Sequence, residues 1–180
     1  MPPSPRARVL EVGCGTGAVI RVLAARPGVA AAVGVDPSPV FVAKARTLGA
    51  GQATLTFEEA DGRALPFASH TFDLVVFHTT LCHVLDPDAV LREAVRVLRL
   101  GGALAVFDGD YATATLATGA GDPLDACAEA FRTHFIHDPW LVRRLPRLVQ
   151  AAGVRLQCTR TISVMDIVVK TCYNLSVEFL

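Results

Sequence analysis

Cysteine is too sparse and too scattered in this 180-residue sequence to staple a fold together: five residues, Cys14, Cys82, Cys127, Cys158 and Cys172, with no Cys-x-x-Cys pair. That odd number excludes a plain disulfide framework and the spacing gives no zinc ribbon, so a reducing, cytoplasmic compartment is expected. An excess of one charge is also lacking. Seventeen Lys and Arg balance seventeen Asp and Glu, so no net field draws the molecule to nucleic acid or to anionic membranes, and neither is an expected partner. The start, MPPSPRARVL, has no apolar stretch of the secretory type. No run of about 18 uncharged apolar residues occurs either, so no membrane span is expected. What the chain does have is apolar residues, 52% against 19% charged, enough for one buried core in a single domain over residues 1–180.

The order of patterns sets the expected fold. RVLEV (8–12) is a buried strand that breaks into GCGTG, AVIRVLAAR (18–26) has helical spacing closed by Pro27-Gly28, and AAAVGVD (30–36) is a second strand. A second helix over 39–50, strands over 53–61 and 72–78, a helix over 88–98 and a strand over 101–110 continue the alternation. The apolar runs at 74–77 and 103–107 suit strands buried on both faces. Helices over 122–136 and 139–151 follow, and 154–162 with part of 164–173 are expected to close the sheet as an antiparallel hairpin. Residues 161–180 contain no Ala, Gly, Pro or Arg, which fits either a tail of different origin or a plain strand hairpin.

In an open parallel sheet, ligands bind beyond the carboxyl ends of the strands, where the winding reverses. Gly13, Gly15 and Gly17 follow the first strand, where glycine permits a tight turn and close approach to a ligand. The helix after them presents free N–H groups suited to a carboxylate or phosphate. Asp36 ends the second strand, from where its two oxygens can accept both hydroxyls of a ribose. Asp61 ends the third, placed to accept from an exocyclic adenine amine, and Leu65 and Phe67 in ALPF can line a flat apolar slot. GCGTGA also satisfies the dinucleotide pattern with an acid about twenty residues on, so an NAD-dependent oxidoreductase is a competing reading.

VLEVGCGTG (9–17), VGVDPS (33–38), EADGRALPF (59–67), FDLVVFHTTLCHV (72–84) and RVLRLGGALAVFD (96–108), in that order, resemble the class I S-adenosylmethionine-dependent methyltransferases. The likeness is closest to the small-molecule branch called type 11, or ubiquinone/menaquinone-methyltransferase-like. The resemblance implies a Rossmann-like, doubly wound, mostly parallel seven-stranded sheet in three αβα layers, with the core at 8–110 and a substrate-side region and sheet closure at 111–180. It implies S-adenosylmethionine as cofactor, S-adenosylhomocysteine as product, and in-line methyl transfer to a small molecule. By the same likeness Gly13, Cys14, Gly15 and Gly17 wrap the methionine part and Glu11 holds that loop and the amino group. Asp36 binds the ribose, with Pro37 and Ser38 along the adenosine; Asp61 takes the adenine amine, with Gly62 and Arg63 beside it; Phe77 and His78 face the methionine and the methyl. A sulfonium donor carries no phosphate, so acidic strand ends with few Lys or Arg suit it better than a pyrophosphate.

Other residues carry weaker expectations. His78 is a candidate base for the acceptor and His83 a lesser one. His134, His137 and Asp138 read as surface groups without a fourth metal ligand, so no metal is expected. Cys82 and Trp140 are assigned to the core, and Arg143, Arg144 and Arg147 to the solvated face of an amphipathic helix. Family members carry helices before the first strand that cover the cofactor, whereas MPPSPRA alone precedes it here. Absent cap helices leave two further expectations: a homodimer through the uncapped face, or a truncated, inactive module that binds cofactor or a protein partner without turnover.

Overall fold

The computed structural model describes residues 6–161. Strand β1 (Ala7–Val12) runs into a glycine turn and helix α1 (Ala18–Ala24), followed by β2 (Val29–Asp36), α2 (Pro39–Leu48) and β3 (Leu55–Glu59). After a long loop come β4 (Phe72–His78), a 3-10 turn at Leu81–His83, α3 (Pro87–Val97), β5 (Leu98–Phe107), a second 3-10 turn at Tyr111–Thr113, α4 (Leu124–His134) and α5 (Leu141–Ala151). The five strands form one parallel sheet in the order β3-β2-β1-β4-β5. The chain therefore winds outward from β1 in one direction, then crosses back to start again on its other side, and the crevice between the ends of β1 and β4 is the switch point.

Sequence sets each boundary locally. Ser38 caps α2, its Oγ accepting from the Phe41 amide at 3.3 Å, and Pro39 fits the first helical position. Asp86 caps α3 in the same way, with Pro87 next. β1 lies at the centre, Leu10 paired with Val33 on one side and Val75 on the other. One sheet face carries Leu10, Val12, Val35, Val75 and Phe77 against Val90, Leu91 and Ala94 of α3 and Leu141 and Val149 of α5. The other carries Val9 and Ala32 against Ile20 and Leu23 of α1 and Val42 and Ala45 of α2. There the ring of Phe57 lies on three glycines: a Cβ at Gly17, Gly34 or Gly49 would come within 2.5, 2.8 or 2.7 Å of it.

Four expectations are corrected. β5 begins at Leu98 rather than 101, because a register shift opposite Phe72–Leu74 absorbs Gly101 and Gly102, and it ends at Phe107. It is half-exposed rather than buried on both faces: Ala103, Ala105 and Phe107 stand bare, since α1 and α2 cover the β1–β3 side of that face. Five strands, not seven, are found among the described residues. Residues 154–161 form no strand and are almost wholly exposed; the remainder of the expected hairpin, and the compositional break beyond Thr161, lie outside the described residues.

Candidate functional site

The glycine turn is built by backbone hydrogen bonds to the neighbouring strand. The amides of Gly13 and Cys14 both donate to the Val35 carbonyl, at 2.8 and 2.9 Å. Gly13 and Gly17 take φ of +73° and +78°, a region that L side chains rarely enter. Cys14 is buried between the turn and Gly34, and its thiol is pushed up to about 12 by burial, with Glu11 and Asp36 adding to it, so it is inert as a nucleophile.

Two acids converge on this turn. Asp36 is buried, one oxygen accepting from the Gly15 amide at 2.8 Å and the other from the Ser38 amide at 2.9 Å. Its burial is thus satisfied by backbone rather than waiting on a ligand, and each oxygen keeps a further acceptor position. Glu11, 2% exposed, lies under the first turn of α1 and accepts from the Ile20 amide at 2.9 Å. Burial pushes its carboxyl up to about 8, the Ile20 hydrogen bond opposing and the Asp36 charge adding. The helix N-terminus that the sequence leaves open to an anion is therefore filled by the chain's own side chain.

Asp61 sits in the loop after β3, paired with Arg63, whose Nη2 lies 2.6 Å from its Oδ2. That hydrogen bond, joined by the Arg63 amide, holds the Asp61 carboxyl down to about 2. Asp61, Gly62 and Arg63 border a cleft of about 260 Å³ together with Gly13, Pro37 and Thr80. Leu65 and Phe67 do not line it. Glu93 accepts from the Leu65 amide and Arg96 donates to the Leu65 and Phe67 carbonyls, folding the loop back so that Leu65 enters the core and Phe67 meets Phe72 edge-on. Pro37, Ala60, Val84 and Leu85 supply the apolar lining instead.

At the end of β4 the two expected residues part company. The Phe77 side chain is fully buried in the core, so it offers a ligand no surface. His78 points the other way, half-buried, its ring stacked on Phe107 with centroids 4.9 Å apart. Burial lowers the His78 pKa and so favours the neutral imidazole, while the nearby Asp108 carboxylate partly opposes it. His83 is exposed, its Nδ1 3.0 Å from the Phe135 carbonyl.

Sequence reading passed over three residues here. Thr79 adopts φ +50° and donates its amide to the Phe107 carbonyl at 2.8 Å. Thr80 reaches across to the glycine turn, and Asp108 accepts from the Cys82 amide at 3.1 Å. The polar residues at the end of β4 and just past β5 were the available signal. Cys82 is buried as expected, its thiol pushed well up by burial and by Asp108, and Tyr111 beside it is pushed up to about 12, first by burial.

The remaining candidates lie away from the crevice. Among the described residues no group of three or more His, Cys, Asp or Glu side chains is placed to hold a metal. His134 is exposed and its ring approaches the Ala130 carbonyl, while Asp138 pairs with Arg144 and caps the Trp140 amide. Trp140 is 52% exposed rather than core, lying under the Arg143 guanidinium at 4.4 Å. Arg143 also pairs with Asp110, and Arg147 is exposed. No helix among the described residues is long and apolar enough to cross a membrane.

Comparison with known proteins bears on the family and the fold. The chain is 37% identical over 103 residues to Methyltransferase GfsG of Streptomyces halstedii, covering 56% of this chain and 37% of that protein. It is 35% identical over 111 residues to the ubiquinone/menaquinone biosynthesis C-methyltransferase UbiE of Xylella fastidiosa, covering 59% and 44%. It thus spans less than half the length of these curated relatives. Among solved structures, the [4+2]-cyclase SpnF superposes with a TM-score of 0.65 at 27% identity, covering 83% of this chain and 52% of that one. The model of the methyltransferase domain matches residues 10–106, more than half of the sequence, from within β1 to the last residue but one of β5, and the chain belongs to that family.

Proposed function

We propose that this chain binds S-adenosylmethionine at the glycine turn and directs its methyl group to a small-molecule acceptor. The observation that carries the reading is Glu11 under the first turn of α1. A pyrophosphate needs the free amides of that helix, and here the Ile20 amide is already taken by the Glu11 carboxyl, which burial keeps protonated near pH 7. A cationic ligand has Asp36 on its side and would draw the proton from Glu11, whereas an anion would hold it there. When bound, the cofactor supplies an electrophilic methyl on sulfur.

The chain's own residues do the rest by holding positions. Gly13, Cys14, Gly15 and Gly17 shape the loop, and the unused acceptor positions of Asp36 suit a ribose diol. Pro37, Ser38, Asp61, Gly62 and Arg63 border the adenosine side. We take His78, at the end of β4 with its ring on Phe107, as the candidate to receive a proton from the acceptor. Positioning carries most of an in-line displacement. The free thiols Cys14, Cys82, Cys127 and Cys158 support a cytoplasmic location. The bare row Ala103, Ala105 and Phe107 supports a homodimer through that side of the sheet.

Isothermal titration with S-adenosylmethionine, S-adenosylhomocysteine and NAD in parallel tests the cofactor. Micromolar binding of the first two, none of NAD, and loss of binding in Asp36→Ala are expected; NAD binding, or unchanged affinity in the variant, refutes it. A second reading is a module that binds the cofactor or a protein partner without turnover, and a structural neighbour named a [4+2]-cyclase shows that this fold also carries activities other than methyl transfer. Cofactor binding with no turnover of labelled methyl across a panel of acceptors would select it.

A further inference from the structure

We infer that Thr80 is a positioning residue for the cofactor loop, its hydroxyl fixing the glycine turn from the opposite side of the switch point. The inference rests on the cofactor reading above. Three carbonyl oxygens gather around one hydroxyl: Thr80 Oγ1 lies 3.1 Å from that of His78, 3.3 Å from that of Val12 and 3.4 Å from that of Gly13. Two of these belong to the end of β1 and the first residue of its turn, and the third to the end of β4. The sheet ladder between β1 and β4 ends at the Val12–Phe77 pair. Beyond it, the one proton of this hydroxyl is shared among the three; the His78 carbonyl also has the Thr79 hydroxyl at 2.8 Å, so loss of the Thr80 donor falls on the Val12 and Gly13 carbonyls of the turn.

The contact is steric as well as polar. A Cβ at Gly13 would fall 2.3 Å from Thr80 Cγ2, so the methyl rests directly on the glycine backbone. Thr80 is itself held rigidly. Thr79 before it is in the left-handed region, with its amide bonded to β5 at Phe107 and its hydroxyl 2.8 Å from the His78 carbonyl. After it, Cys82 in the 3-10 turn is bonded to Asp108. The glycine loop is thereby referenced to β4 and β5, the strands that carry the acceptor side, and not to α1 alone.

Methyl and hydroxyl are separable by substitution. Thr80→Val keeps the shape and removes the donor; Thr80→Ser keeps the donor and removes the methyl. Calorimetric titration with S-adenosylmethionine and S-adenosylhomocysteine, alongside thermal melting of the ligand-free proteins, is expected to show affinity following the hydroxyl. Valine weakens both ligands about tenfold, as expected for one lost hydrogen bond with its acceptors left unpaired, while serine stays within about twofold of wild type. Both variants are expected to melt below wild type, serine for the missing methyl and valine for the carbonyls left without a donor, so serine is destabilised yet binds as wild type does. A serine variant whose affinity falls with its melting temperature, or a valine variant that binds as tightly as wild type, overturns the inference while the cofactor reading stands. Wild-type protein that binds neither ligand overturns both.

Discussion

Glu11 works against the stability of the fold it occupies. Its carboxyl titrates at about 8 in the folded chain against 4.5 in a model peptide. Between those values the unfolded chain has released a proton that the folded chain still holds. Its contribution to stability is therefore greatest below about pH 4.5 and is lost as pH rises through 8. The effect is on the order of a few kcal/mol. Glu11→Gln keeps an acceptor for the Ile20 amide without the ionisation, so melts from pH 6 to 9 should show a higher, flatter profile than wild type. At the same time the variant should bind a cationic cofactor less tightly. A variant whose melting point falls with pH as steeply as wild type would show that another group carries the titration.

At the scale of elements, the loop between β3 and β4 depends on α3 for its shape. Glu93 takes the Leu65 amide at 2.8 Å and orients Arg96, which in turn takes the Leu65 and Phe67 carbonyls at 2.9 and 2.7 Å. Glu93→Ala should cost roughly 1–3 kcal/mol in denaturant unfolding and speed hydrogen exchange at the Leu65 amide; a loop amide as protected as in wild type would count against this. The network also shows where reading the sequence ran out. The strands, the glycine turn and Asp36 were legible because apolar runs, glycines and strand-end acids are local signals. Leu65 and Phe67 were not, because their direction is set by residues 28 and 29 positions away. Trp140 went astray for a related reason: its partner is a cation one helical turn on, which holds the ring at the surface. The start of β5 was hidden by two glycines that a register shift accommodates inside the strand.

For the whole molecule, the unequal coverage of the sheet makes the β5 side the place where a second copy would sit. Sedimentation of wild type is expected to show dimer at micromolar concentration, and Ala105→Glu, a charge on the bare face, should give monomer whose melting temperature no longer rises with protein concentration. Wild type that sediments as monomer at all concentrations removes the dimer from the reading. The Phe57 ring has a different reach, because the three glycines beneath it come from the β1–α1 turn, from β2 and from the end of α2. Gly34→Ala alone should cost about 1–3 kcal/mol, the usual range for overpacking. Combined with Phe57→Leu, it should cost less than the sum of the two single changes, because the smaller side chain vacates the space the new methyl needs. The positions 17, 34, 49 and 57 are then a single unit of inheritance: across descendants of this chain, small residues at the first three and a ring at the fourth should be gained and lost together.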